Sequence, residues 1–397
     1  MADSVKAQLY QQFAPDEALD PGDSRYVDWP SQVDVEDAKS NLASSIALGG
    51  TTPQTRLITG HRGTGKTTEL KRVKRLLESG EEGRKIFVSI LPSEEWLALE
   101  DVDARDIVFQ VVRQLVDDLA GQGFKPARAR FDNWFKDLAG KLNVRLQLDE
   151  IDLKVAKLSV VTKESPQARK DFRELLEPRM PAIFDLINDV IRGAKEWLAQ
   201  HGAYDDILVI IDELDRIPVK EVQEGVTNHE RIFLDSAGPL RALACHTLYT
   251  VPIELAYSEC RVRLETTYGG EIINHGVVPV LARDGTINES ALAQLRSVVL
   301  KRLERAALRE AGVFGEGQLD ALCRASGGHL RYLFLLLRSA INRSDLPIPV
   351  EVIEYTVLNQ ARSAARVLDT GAWEVVRGVH RSKDIYEDDR KRFFGLL

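Results

Sequence analysis

Sulfur is scarce in this chain: 397 residues hold three cysteines, Cys245, Cys260 and Cys323. They are odd in number, widely spaced and without a CxxC pair. That excludes a disulfide framework or a zinc site of the usual spacing, and it points to a reducing compartment. Long apolar runs are missing too, since a membrane span needs about 18 residues. The richest stretch, residues 330–341, contains Arg331 and Arg338. The start, Met1-Ala2-Asp3-Ser4, lacks the basic and apolar segments of a secretory signal. Positive charge is not in excess: the formal net charge is -8, which disfavours a protein that coats nucleic acid. The expectation is a cytoplasmic protein with no membrane partner. Nucleic acid would have to be met by local groups such as Arg128, Arg130, Arg169, Lys170, Arg173 and Arg390-Lys391-Arg392, each of which also fits a solvated helix face.

What is present is an ordinary globular balance, 44% hydrophobic and 29% charged. The length suits two or three domains with a sizeable core. Residues 1–34, rich in Pro, Asp and Gln, read as an N-terminal arm. Residues 35–283 alternate strand and helix patterns. Residues 56–59 and 85–90 are short apolar strands, and 207–211, Ile-Leu-Val-Ile-Ile, form a continuous apolar one, the mark of a covered parallel strand. Residues 247–255 are a further strand candidate. Between strands, residues 104–120 carry Ile107, Val108, Val111, Val112, Leu115, Val116 and Leu119 on one helical stripe. A long helix is expected over 166–201, interrupted near Pro178 and Pro181. An insertion at about 124–165 holds alternating Val144, Leu146, Leu148 and Ile151, Leu153, Val155, which predict a β-hairpin over 143–161. From about 284 the pattern is helical: four helices over about 289–310, 316–325, 328–343 and 348–367 form a lid, and 368–397 a short helical tail. The fold class is therefore α/β, a parallel sheet flanked by helices with a C-terminal helical lid and an inserted hairpin.

Chemistry enters at Gly60-His61-Arg62-Gly63-Thr64-Gly65-Lys66-Thr67, a complete GxxxxGK[ST] string between a strand and a helix. Its glycines let successive N–H groups turn toward one anion. The following helix adds its free N–H groups and positive dipole end. Residues Gly60 to Thr68 are the candidate nucleotide cradle: Lys66 can reach the β- and γ-phosphates, and the Thr67 hydroxyl can ligate Mg²⁺. His61 and Arg62 occupy variable positions and also fit solvent or local packing. The apolar strand 207–211 ends in Asp212-Glu213-Leu214-Asp215. Asp212 would hold Mg²⁺ directly or through water, and Glu213 would take the proton of an attacking water. Thr250, after the next strand, could contact the γ-phosphate or pack in the core. Ser326-Gly327-Gly328-His329-Leu330-Arg331 opens an apolar helix whose Arg331 lies in the first turn, able to reach a γ-phosphate or to sit at a helix pairing. Arg261 and Arg263 are each candidates for an arginine finger acting on a neighbouring copy. Thr162-Lys163-Glu164-Ser165 lacks the Asp of a guanine-reading motif, so ATP is the expected nucleotide.

The phosphate loop, the DELD string at 212–215 and the Gly327-Gly328-x-x-Arg331 helix together resemble the AAA+/STAND P-loop ATPases. The branch in view holds origin-recognition and helicase-loading ATPases and bacterial signal-transduction ATPases of anti-phage systems. The resemblance spans roughly residues 24–365. It implies an ATP- and Mg²⁺-dependent switch, with Lys66 and Thr67, Asp212 and Glu213, Thr250 and Arg331 in the loop, acidic-strand, first-sensor and second-sensor roles. Family members often carry an Asn where Thr250 stands, and a winged helix where residues 371–397 read as two short helical stretches. Three functions follow as expectations. The first is a regulatory ATPase, homo- or hetero-oligomeric, that controls a protein effector, in phage defence by resemblance. The second is a nucleic-acid-associated initiator or helicase-loader ATPase. The third is a nucleotide-holding scaffold with little turnover.

Overall fold

The computed structural model describes residues 2–28, 38–146 and 162–382. The longer helices are, in chain order, α1 (Ala2–Gln12), α2 (Ala38–Leu48), α3 (Lys66–Ser79), α4 (Ala104–Gly121), α5 (Lys125–Leu146), α6 (Pro166–Leu176), α7 (Met180–Gln200), α8 (Arg261–Tyr268), α9 (Glu289–Arg305), α10 (Gln318–Ala325), α11 (Leu330–Arg343), α12 (Val350–Ala365) and α13 (Thr370–Ser382). The strands are β1 (Thr55–Thr59), β2 (Ile86–Pro92), β3 (Asp206–Asp212), β4 (Glu221–Gln223), β5 (Val226–Thr227), β6 (His246–Thr250) and β7 (Ile273–Asn274). Among the described residues no helix is long and apolar enough to cross a membrane. The chain divides into two compact units, one from Leu42–Thr59 and Val73–Asn274, the other from Met1–Asn41, Gly60–Arg72 and His275–Leu397.

The first of these is built on a five-stranded sheet in the order β2-β3-β6-β1-β7, with every neighbouring pair parallel. All seven residues of β3 are buried, which is why its sequence is apolar without alternation. Helices α4 and α7 pack on the sheet. The α4 stripe expected from the sequence is buried in full, from Ile107 to Leu119. Its start is fixed by a reciprocal cap: the Asp103 side chain accepts from Arg105 N at 2.9 Å, and Asp106 Oδ2 accepts from Asp103 N at 3.0 Å. The expected break in the helix over 166–201 is a 3₁₀ turn, Glu177–Arg179, between α6 and α7.

Two expectations for this unit change, and one small element is new. The strand over 247–255 stops at Thr250, because Pro252 follows and Ile253–Ala256 is a helical turn. β4 and β5 form a small antiparallel hairpin with Gly225 in the left-handed region at its turn. As for the hairpin over 143–161, residues 143–146 instead close α5. Four residues are too few for an alternating pattern to outweigh the helix they continue. The remainder, 147–161, lies outside the described residues.

The second unit is helical. Its core gathers Leu295, Val299, Leu322, Leu333, Leu337 and Ile341 from α9, α10 and α11, and adds Leu9 and Phe13 from the N-terminal segment. The arm expected over 1–34 thus begins with a helix that packs on α9 and α11. Leu9 and Phe13 are wholly buried, and the Arg338 guanidinium stacks 4.0 Å above Tyr10. The four expected lid helices are α9 to α12, each within a few residues of its predicted bounds. The chain is an α/β protein of P-loop type, a parallel sheet flanked by helices with a C-terminal helical domain.

Candidate nucleotide site

β1 ends at Thr59, and the phosphate loop follows directly. Gly60, Gly63 and Gly65 take φ of 151°, 90° and 99°, conformations that L side chains rarely adopt. Space forbids a side chain as well: a Cβ on Gly60 would stand 2.1 Å from the His275 carbonyl oxygen, and one on Gly63 would stand 2.6 Å from Arg331 Cβ. Thr64 is buried, and its hydroxyl lies 2.9 Å from His61 O and 3.3 Å from His275 O. Lys66 opens α3 and is 7% exposed. Its ammonium donates to Gly60 O at 2.6 Å and His61 O at 2.8 Å. An ammonium held by two loop carbonyls can exchange them for phosphate oxygens with little movement. Thr67 and Thr68 are half-buried in the first turn of α3, and Thr68 Oγ1 accepts from Leu19 N at 3.2 Å. Arg62 is exposed.

Within the same unit, the turn before α11 lies against this loop. Arg331 N donates to Gly63 O at 3.2 Å. His329 caps α11, accepting from Tyr332 N, and its ring lies 4.4 Å from that of Tyr332. Burial drives its imidazole down to about 4, against a hydrogen bond to the Arg62 carbonyl that pulls the other way, so the ring is neutral at pH 7. Gly328 has φ of 82°, and a Cβ there would meet Val278 O at 1.7 Å. Only glycine allows the Gly328 carbonyl to accept from Val278 N in this turn. The Arg331 side chain pairs with Asp16, while its Nε is buried without a hydrogen-bond partner. Lys66, Arg331, Thr67, Thr68 and the glycines are therefore brought together. His275 was not anticipated: it is 3% exposed, and it backs the loop with its carbonyl and with Nε2, 3.3 Å from Thr64 O.

In the sheet unit, Asp212, Glu213 and Thr250 gather at the C-terminal ends of β3 and β6, where ligands of open α/β sheets bind. Asp212 is 3% exposed, and its Oδ1 accepts from Glu213 N at 2.7 Å. Glu213 has φ of 69°, the left-handed region that a non-glycine enters at a cost of about 1–2 kcal/mol. Its Oε2 accepts from Glu94 N at 3.1 Å, and its Oε1 lies 3.3 Å from Arg216. Arg216 also pairs with Glu94. Thr250 is fully buried. Its hydroxyl accepts from Leu214 N at 2.9 Å and lies 3.3 Å from Ile211 O. The structure thus places Thr250 on the backbone of the acidic turn, which it braces. Of the finger candidates, Arg261 is engaged with Glu265 at 2.9 Å. Arg263 is 67% exposed with Asp235 4.0 Å away.

No protein-family model and no curated protein matches the chain. Solved structures do. ORC2 of Aeropyrum pernix, in ADPNP–ADP complexes, is 13% identical over 84% of this chain and 71% of its own, with a TM-score of 0.42. Drosophila ORC bound to DNA is 12% identical over 96% and 74%, at 0.44. A Walker-type ATPase of Pyrococcus abyssi is 13% identical over 88% and 79%, at 0.40.

Proposed function

We propose that this chain is a Mg²⁺-dependent ATP-binding and hydrolysing regulatory ATPase, which changes conformation or assembly with its nucleotide to control a protein partner. The observation that carries it is the phosphate loop: three glycines in conformations closed to other residues, and the Lys66 ammonium resting on loop carbonyls at the start of a helix. Such a nest of N–H groups with a helix N-terminus is built for an anion, and the lysine adds the charge that a polyphosphate needs. Thr67 and Asp212 are the proposed Mg²⁺ ligands. When bound, the ion would neutralise charge on the phosphate oxygens. Lys66 binds the phosphates, Glu213 accepts the proton of the attacking water, Thr250 fixes the turn that carries Glu213, and Arg331 supplies a cation beside Gly63.

The test is ATP binding with Mg²⁺ by the wild-type chain and by Lys66→Ala. Binding should be lost in the variant. Tight binding that survives there would sink the site assignment. Control of an effector in phage defence is the finer reading and rests on the motif resemblance. The initiator or loader reading predicts DNA affinity that falls steeply with salt. A chain whose affinity for duplex DNA is absent at low salt leaves the protein-partner reading standing.

A further inference from the structure

The segment after α1 runs along the phosphate-loop helix, and its contacts are specific. Leu19 is 7% exposed, and its N–H reaches Thr68. Lys71 donates to Ala18 O at 3.1 Å and pairs with Asp20 at 2.9 Å. Arg72 pairs with Asp28 at 2.9 Å. Residues 16–28 are therefore a strap fastened to α3 on the side of Thr68, Lys71 and Arg72.

Asp16 stands apart from these. It pairs with Arg331, the arginine whose N–H is bonded to Gly63 O and whose Cβ packs against Gly63. That guanidinium is half-committed: an outer nitrogen is on the carboxylate, and Nε is buried without a partner. A guanidinium has five donors in one plane. Carboxylate and phosphate oxygens are equivalent acceptors for it, the phosphate the more highly charged. The Asp16 side chain is 75% exposed, so the pair lies at the solvent edge and is weak enough to be exchanged.

We infer that Asp16 is a stand-in anion for the terminal phosphate of the nucleotide. It holds Arg331 when that phosphate is absent and yields it when the phosphate is present, so that the strap is fastened with ADP and loosened with ATP. This rests on the phosphate loop being the ATP site. It adds that the N-terminal segment reports which nucleotide is bound, and that Asp16 sets the preference between the two.

The experiment is calorimetric titration of the full chain with ATPγS and with ADP, both with Mg²⁺, for wild type, Asp16→Asn and Asp16→Glu. Removing the competitor in Asp16→Asn should tighten ATPγS by about threefold to fivefold, the worth of an exposed pair, and leave ADP unchanged. Asp16→Glu should restore the wild-type ratio. In Arg331→Gln, Asp16→Asn should have no further effect. Amide exchange supplies a readout apart from affinity: residues 16–28 should exchange faster with ATPγS than with ADP in wild type, and equally with both in Asp16→Asn. Equal shifts for the two nucleotides, or exchange that ignores which one is bound, overturns the inference while the ATP site stands. A wild-type chain that binds neither nucleotide overturns both.

Discussion

Glu213 adopts a backbone conformation that a glycine would enter freely, and it keeps a carboxylate there at a cost. Residues held in sparsely populated regions concentrate where a side chain must point in one direction. Here the direction is fixed by Glu94 N and Arg216. Glu213→Gln keeps the shape and one acceptor oxygen, so it retains only one of these two donors, and it cannot take a proton. It should leave the unfolding free energy within about 1 kcal/mol, retain ATP on a filter, and lower turnover by about 100-fold or more. Undiminished turnover would remove Glu213 from the chemistry. His329 gives a second expectation at this scale. Its imidazole titrates near 4 in the fold, against 6.5 ordinarily. An unfolded chain therefore takes up a proton as pH falls through 6.5, which the folded chain refuses until about 4. Stability should fall with pH across that window. His329→Asn retains an N-cap side chain and should flatten the fall, as read from urea midpoints at pH 7 and pH 5. The turn at Gly60, Gly63 and Gly65 was legible in the sequence because glycine itself encodes these conformations. His275 was not, since a backbone carbonyl is common to all residues.

At the scale of elements, periodicity spoke where an element buries one face and stayed silent where it is very short. The stripe on α4 and the apolar run of β3 were both read directly. β7 has two residues, too few for any period, and its place beside β1 depends on the sheet as a whole. Val5 and Leu9 of α1 and Phe13 just after it stand four apart in a polar stretch, a weak stripe that packs on distant helices. The start of α4 is set by Asp103 with Asp106 three residues on, as the structure shows. Asp103→Ala removes the cap from Arg105 N and should cost about 1 kcal/mol, seen as a lower urea midpoint with an unchanged slope. No loss of stability would mean that the burial of α4 alone sets its first turn.

For the molecule as a whole, the open matter is whether one chain completes its own site. Arg263 is exposed, barely paired, and carried on a short helix of the sheet unit. If it acts on a neighbouring copy, turnover per chain should rise with protein concentration. Arg263→Ala should abolish that rise without weakening ATP binding. A rate that is flat with concentration assigns no such role to Arg263.

The helical unit is assembled from three separated stretches of chain, and this has a consequence for synthesis. Leu9 and Phe13 leave the ribosome well before their partners in α9 and α11, which emerge roughly 280 to 330 residues later. At about 5–20 residues per second, the first helix waits for some tens of seconds with its apolar side bare. The whole sheet unit is translated in that interval. A nascent chain stalled near residue 280 should therefore display a protease-sensitive N-terminal segment and a resistant sheet, and the segment should become resistant only once α11 has been made. Leu9 and Phe13 are thus made long before the helices that bury them.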